Sequence, residues 1–241
     1  MPPKKLVDEI GGDYIAVGND FFQHFRQLVG VSPDRDVLDV GCGRGRMAVP
    51  FTKYLEPTNR YCGFDVNPAA IRWCRKHITS RHPNFEFDVA DLRSVRYNPR
   101  GRHLAHEYRF PWDDDSFDFV FLTSVFTHML PRDVQYFFLD EIVRVLRSGG
   151  KCLITFFLLN DESLALSQQG KSTQDFKHAV DGCRVVDRDV PEAAVSYLES
   201  DVRGFFESRR LSIDEPIRYG SWCGRPEHLS YQDIVVAELK G

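Results

Sequence analysis

The run Val37-Leu38-Asp39-Val40-Gly41-Cys42-Gly43-Arg44-Gly45-Arg46 constrains what this chain can fold into more than any other stretch. A short, mostly apolar segment halted by glycine reads as a buried strand. The glycines after it make a turn whose backbone can approach a ligand that side chains would block. Tyr61–Asp65 is the next such segment, and Gly63-Phe64-Asp65-Val66-Asn67 puts an acid at its tip. A strand, a glycine turn, a crossover and a second strand ending in an acid form the nucleotide-handling edge of a parallel sheet. The glycines read Gly-x-Gly-x-Gly, whereas the dinucleotide fingerprint would need a third glycine where Arg46 stands. The turn therefore departs from the pattern for NAD.

The remaining segments alternate. Asp36–Val40, Tyr61–Asp65, Phe85–Phe87, Phe117–Leu122 and Lys151–Leu159 read as five strands, with two more near Ile213–Ile217 and Asp233–Leu239. Helices are expected from Asn19 or Asp20, carrying Phe21, Phe22, Phe25, Leu28 and Val29 inward, and from Arg44 to about Tyr54. Another is capped by Asn67-Pro68 and runs to about Ile78. A stripe through Val134, Phe137, Phe138, Ile142, Val145 and Leu146 ends at Gly149-Gly150, and a last helix runs from Glu192 to about Ser208. The expected fold is α/β: an open, doubly wound, mostly parallel seven-stranded sheet with helices on both faces and one antiparallel edge strand. Residues 1–241 are expected to form one domain. Its N-terminal segment 1–33 is a helical lid, with Tyr14 closing over the ligand, and segments 93–115 and 160–191 are insertions. Both insertions are long for connections and follow the carboxyl ends of strands, where ligands of such sheets bind.

Composition narrows the function classes. A hydrophobic content of 42% supports a real core, and a net charge of -4 gives no global footprint for nucleic acid. The six cysteines (42, 62, 74, 152, 183, 223) contain no Cys-x-x-Cys pair, so zinc ligation has no support and reduced thiols of a cytoplasmic protein are expected. No apolar run reaches the length of a membrane span, and Met1-Pro2-Pro3-Lys4-Lys5 leads into no signal-peptide core. A small-molecule partner is expected, with neither a membrane nor a nucleic acid; a homodimer is left open.

Three acids follow three successive strands: Asp39, Asp65 and Asp91. Each alone reads equally as a cap or a surface loop residue; together, in order, they outline a nucleoside site. Asp39 can hold an amino group, Asp65 can accept from both ribose hydroxyls, and Asp91 can accept an adenine amino group while Leu92 covers the ring. The runs VLDVGCGRGRM, GFDVNPAAI, FEFDVADL, FPWDDDSFDFVFLTSVFTHML and EIVRVLRSGGKCLITFF resemble the class I S-adenosylmethionine-dependent methyltransferases over residues 36–157. The tail, with YGSWCGR and DIVVAEL, resembles a bacterial branch acting on small molecules, sugar hydroxyls among them. The resemblance implies S-adenosylmethionine as cofactor and S-adenosylhomocysteine as product. Asp39, Gly41, Cys42 and Gly43 would line the methionine part. Asp65, Val66 and Asn67 would meet the ribose, Asp91 and Leu92 the adenine, and Thr123 a further part of the cofactor. The insertion from Arg93 to Arg109 departs from the family, which passes quickly between these points.

A sulfonium methyl donor is already activated, so a neutral hydroxyl acceptor mainly needs alignment and a base. His128, beyond the fourth strand in Thr123-Ser124-Val125-Phe126-Thr127-His128, is the candidate; the bland reading makes it a cap or a packed loop residue. The insertion carries Arg93, Arg96, Arg100, Arg102, His103, His106 and Arg109, which form either a clamp for a polyhydroxylated acceptor or a solvated face. Arg109 beside Phe110-Pro111-Trp112 is the expected acceptor contact. Tyr219 and Trp222 offer flat faces for a sugar ring, or else belong to the core. Asp113-Asp114-Asp115 lacks further ligands, so no metal is expected. The leading expectation is an O-methyltransferase of a small polar acceptor. The alternatives are an N, carboxylate or RNA methyltransferase, an NAD-linked oxidoreductase, and a cofactor-binding module without catalysis.

Overall fold

The eleven strands of the computed structural model, which describes residues 13–94, 97–133 and 138–241, are β1 (Val37–Val40), β2 (Tyr61–Asp65), β3 (Phe85–Val89), β4 (Phe117–Leu122), β5 (Leu146–Phe156), β6 (Leu158–Leu159), β7 (His178–Val180), β8 (Cys183–Val185), β9 (Val195–Leu198), β10 (Leu211–Ile213) and β11 (Asp233–Leu239). The stretch before Asp13, Arg96 of the insertion, and Val134 and Phe137 of the helical stripe lie outside the described residues. Seven strands form one sheet in the order β10-β11-β5-β4-β1-β2-β3. β1 runs parallel to β2 and β4, and β2 parallel to β3. The expected antiparallel strand is β11, which pairs with β5 on one side and β10 on the other.

Two compact units divide the chain: the described part of Met1–Arg102 with Phe117–Phe121, and His103–Ser116 with Leu122–Gly241. The first is built around aromatic rings. Phe25, Phe51, Tyr61, Phe85, Phe119 and Phe121 are fully buried, with Phe25 and Phe121 centred 4.5 Å apart and Tyr61 and Phe85 stacked at 5.0 Å. Ring pairs of this kind add about 0.5–1.5 kcal/mol beyond the area they bury. The first helix, Tyr14–His24, starts earlier than Asn19: Asp13 is its N-cap, accepting from the N–H groups of Ile15 and Ala16. A side chain that satisfies two orphan donors outcompetes one further along that would leave a turn uncapped. The crossover after β1 has its helix only at Ala48–Phe51, because the three glycines before it hold a string of turns. Asn67 caps the helix Pro68–Cys74 as expected.

In the second unit, Leu139–Val145 is helical and ends before the Gly149-Gly150 pair. Leu146 is already extended at ψ 136°, and β5 begins there. The expected strand to Leu159 is interrupted after Phe156, where the Leu158 N–H turns to the buried carboxylate of Asp233 at 2.7 Å. The helix expected from Glu192 is a strand first. Val195, Ser196 and Tyr197 are buried in β9, and the helix Glu199–Glu207 starts only where Glu199 and Asp201 can face its N-terminus. The segment after Asn160 is ordered: Asn160 caps the helix Asp161–Gln168, and β7 and β8 form a hairpin closed by Asp181-Gly182. Both turn residues take positive φ, the signature of an Asp-Gly hairpin turn. With β6 and β9 this hairpin makes a second sheet, β6-β9-β8-β7.

Candidate cofactor and acceptor sites

The turn after β1 is left-handed at each glycine: φ is 78° at Gly41, 52° at Gly43 and 70° at Gly45. Two of these positions serve different ends. A Cβ on Gly45 would stand 2.6 Å from Ile78 Cδ1 and 3.2 Å from Cys74 Sγ, so Gly45 lets the following helix close down. It does the packing work that the dinucleotide fingerprint gives to a later glycine. A Cβ on Gly43 would meet nothing within 4 Å; the backbone there borders open space. The N–H groups of Gly41 and Cys42 both donate to Phe64 O, at 2.9 and 3.0 Å, and tie the turn to β2.

Asp65 closes the same knot from the other side. Its Oδ2 accepts from Gly43 N at 2.8 Å and its Oδ1 from Asn67 N at 2.8 Å. Burial raises its carboxyl above the usual range, while these two backbone donors and the nearby Arg44 pull it back. Val66 and Asn67 are partly exposed beside it. Asp39 stands at the closed end of the turn, 1% exposed, between Gly63 of β2 and Phe121 of β4 in the sheet register. Its Oδ2 accepts from the hydroxyl of Tyr61 at 2.6 Å, and its Oδ1 is buried with no partner. Burial pushes its carboxyl up to about 7 against the lowering effect of Tyr61. Tyr14 is buried with its hydroxyl donating to Arg44 O at 2.7 Å, so it braces the glycine turn from the first helix.

Asp91 and Leu92 follow β3, and the insertion folds back on them. Arg102 Nε donates to Asp91 Oδ2 at 2.5 Å and holds its carboxyl below the usual range. Asn98 Nδ2 donates to Leu92 O at 3.0 Å, and Gly101 lies so close that a Cβ there would be 2.2 Å from that oxygen. This part of the insertion is therefore fastened to the Asp91–Leu92 turn.

The other predicted residues belong to the second unit. Thr123 is partly exposed, and the next residue, Ser124, takes φ 59° with its N–H donating to Thr155 Oγ1 at 2.8 Å. His128 ends a short helical turn, Phe126–His128, with Nδ1 2.9 Å from Glu192 O. That turn is held by the buried hydroxyl of Tyr197, which contacts Phe126 O at 2.8 Å and also Met129 O. Arg109 is 73% exposed, with its guanidinium 3.7 Å from Asp114. Trp222 is 0% exposed, its Nε1 donating to Asp233 Oδ2 at 2.8 Å; it is a core residue with no face to offer. Tyr219 is partly exposed, held by both oxygens of Glu199 and stacked under Arg225, whose Cζ lies 4.7 Å from the ring centre. Among the described residues, no cluster of three or more His, Cys, Asp or Glu side chains is arranged to hold a metal ion.

Several residues that matter here carried weak signals. Tyr61 reads as an apolar strand residue, and only its polar tip hints at a buried partner. Arg144 reads as the polar face of a helix, yet its guanidinium is clamped by Glu141 at 2.7 and 2.8 Å and donates to Trp112 O at 2.8 Å and Phe110 O at 3.0 Å. Asp233 opens β11 and gathers Leu158 N, Gly220 N and Trp222 Nε1 around one buried carboxylate.

Residues 37–150 match the model of a methyltransferase domain family. A phthiotriol/phenolphthiotriol dimycocerosates methyltransferase of Mycobacterium leprae is 36% identical over 151 residues, 62% of this chain and 47% of the relative. The chain thus spans between about a third and a half of the length of the mycobacterial relatives it matches. The PH0226 protein of Pyrococcus horikoshii superposes with a TM-score of 0.65 over 99% of this chain and 97% of its own, at 17% identity. The magnesium protoporphyrin IX methyltransferase of Synechocystis, solved with bound S-adenosylhomocysteine, gives 0.59 at 15% identity over 97% of this chain and 92% of its own. Residues 37–150 thus carry a methyltransferase domain, on a fold shared with S-adenosylmethionine-dependent methyltransferases, and S-adenosylmethionine is the cofactor of that domain. The residues present fit that molecule: a buried, unpartnered Asp39 Oδ1 suits an ammonium group, and the open side of Gly43 admits a ligand against bare backbone.

Proposed function

We propose that this protein transfers a methyl group to a hydroxyl oxygen of its acceptor, with His128 taking up the hydroxyl proton. S-Adenosylmethionine supplies the methyl group already activated on a positively charged sulfur. Gly41, Cys42 and Gly43 would hold the methionine part, Asp39 its amino group, Asp65 the ribose hydroxyls, and Asp91 with Leu92 the adenine. Binding both reactants in line supplies about 7–11 kcal/mol of the barrier in well-oriented reactions, so positioning is the larger task.

The observation that supports the base is the 2.9 Å contact between His128 Nδ1 and the Glu192 carbonyl. A carbonyl only accepts, so in the neutral imidazole this contact favours the proton on Nδ1 and the basic lone pair on Nε2. The turn that carries this imidazole is held by the buried Tyr197 hydroxyl, which fixes where the ring stands. General bases of this kind contribute roughly 10²–10⁴-fold. The mycobacterial relatives are named for dimycocerosates of phthiotriol and phenolphthiotriol, and a triol esterified twice keeps one hydroxyl, which supports a hydroxyl acceptor on a lipid rather than a saccharide. Labelled cofactor offered with sugars, phenols and long-chain diols tests this directly. Label recovered as a methyl ether of one class fits the proposal; label transferred to carbon or nitrogen overturns it.

A further inference from the structure

We propose that Asp39, positioned by Tyr61, receives the cofactor's ammonium group on its free Oδ1 and releases a proton to solvent as it does so, making cofactor binding a proton-linked event. The inference rests on the reading of Asp39 as the amino-group site.

Asp39 is enclosed by sheet neighbours on both sides, Gly63 and Phe121, and one of its oxygens is committed to the Tyr61 hydroxyl at 2.6 Å. Tyr61 is itself fully buried, so that bond fixes the carboxyl rotation and leaves Oδ1 as the acceptor still unmet. A buried polar atom without a partner carries a desolvation cost that a ligand can remove. The groups facing Asp39 are Tyr61 and Asp65 of β2, Cys42 and Arg46 of the turn, and Tyr14 of the first helix, with Cys74 of the helix Pro68–Cys74 beside Cys42 and Tyr61. The Asp65 charge and burial both favour a protonated Asp39, and only Tyr61 and Arg46 oppose them. An arriving ammonium reverses that balance. The protonated carboxyl plus the ammonium gives a carboxylate–ammonium pair and one proton in water. No other bond changes.

Calorimetric titration of the full chain with S-adenosylhomocysteine, in buffers of different ionisation enthalpy, counts that proton. We expect about one proton released per ligand near pH 6 and close to none by about pH 8.5, with affinity rising toward tenfold per pH unit on the acid side. 5′-Methylthioadenosine keeps the nucleoside but lacks the amino-acid end, and should bind without this release. Tyr61→Phe removes the bond that favours the carboxylate, so the midpoint of the release should move to higher pH while methylthioadenosine affinity stays unchanged. Asp39→Asn should bind S-adenosylhomocysteine more weakly and with no pH-linked release. Binding to the wild-type chain without proton release, or a Tyr61→Phe profile identical to wild type, overturns the proposal and leaves the cofactor assignment standing. Failure of S-adenosylhomocysteine to bind at any pH removes both.

Discussion

The backbone N–H of Gly43 and the carboxylate of Asp65 are joined by a 2.8 Å hydrogen bond between the glycine turn and the tip of β2. Asp65 holds Asn67 N at the same distance with its other oxygen, so one side chain sets the spacing of turn and strand. A carboxylate has about four acceptor sites, which leaves room for ribose hydroxyls on the same group. Asp65→Ala removes the brace and the acceptor together. We expect S-adenosylhomocysteine affinity to fall by about 1.5–3 kcal/mol or more, measured by titration calorimetry; an unchanged affinity would remove Asp65 from the site.

The glycines of the turn separate by role. Gly45→Ala places a methyl group 2.6 Å from Ile78 Cδ1 at a left-handed position, so the cost falls on folding. Gly43→Ala projects into open space at φ 52°. That variant should lose only about 1–2 kcal/mol of stability but bind the cofactor much more weakly. Urea denaturation and ligand titration of the two variants check the split, and equal effects on both properties would contradict it.

His128→Ala should lower turnover by about 10²–10⁴-fold with S-adenosylhomocysteine affinity unchanged. Single-turnover kinetics beside calorimetry make the comparison. Full turnover in the variant would return His128 to a packing role.

Arg144 joins the Phe110–Asp114 turn to its own helix through Glu141, Trp112 O, Phe110 O and Asp114, while Glu141 Oε2 also accepts from Phe110 N at 2.7 Å. The bonds to Glu141 hold its guanidinium firmly in the charged form. Arg144→Met leaves Glu141 and two carbonyls short of donors and should destabilise the fold by about 3 kcal/mol. A shift in the urea midpoint of less than a third of that would show the network to be ornamental.

The carboxyl of Asp39, pushed up to about 7 by burial against an unfolded value of 3.8, sets a stability window. The folded chain binds that proton more tightly, so its contribution is fully present below the unfolded value and is lost as pH rises to about 7. Relative to Asp39→Asn, the wild type should therefore lose up to about 4 kcal/mol across that window and nothing further above it. Paired thermal melts between these limits measure the difference; a constant gap would contradict the burial argument.

Much of the parallel sheet was legible because its strands are apolar runs punctuated by glycine and acid. β2 and β4 fall where the residues place them, and Asn67-Pro68 marks its helix start as capping chemistry requires. Reading failed where local pattern competes with tertiary burial. Val195-Ser196-Tyr197 suits either a helix face or a strand, and burial on both sides decides for β9. Asp181-Gly182 did carry a hairpin signal, lost inside a segment read only as an insertion. In the candidate site, the acids Asp39, Asp65 and Asp91 were visible from spacing. Their partners Tyr61, Gly43 N and Arg102 were not, since such pairings form only when distant strands and loops meet.

The central claim is that the turn from Gly41 to Gly45, with Asp39 and Asp65, is a site for S-adenosylmethionine rather than a dinucleotide. Titration of the full chain at neutral pH with S-adenosylhomocysteine and, in parallel, with NAD tests it most directly. The account predicts saturable one-to-one binding and thermal stabilisation by S-adenosylhomocysteine, and neither by NAD. Stabilisation by NAD with no response to S-adenosylhomocysteine would contradict it.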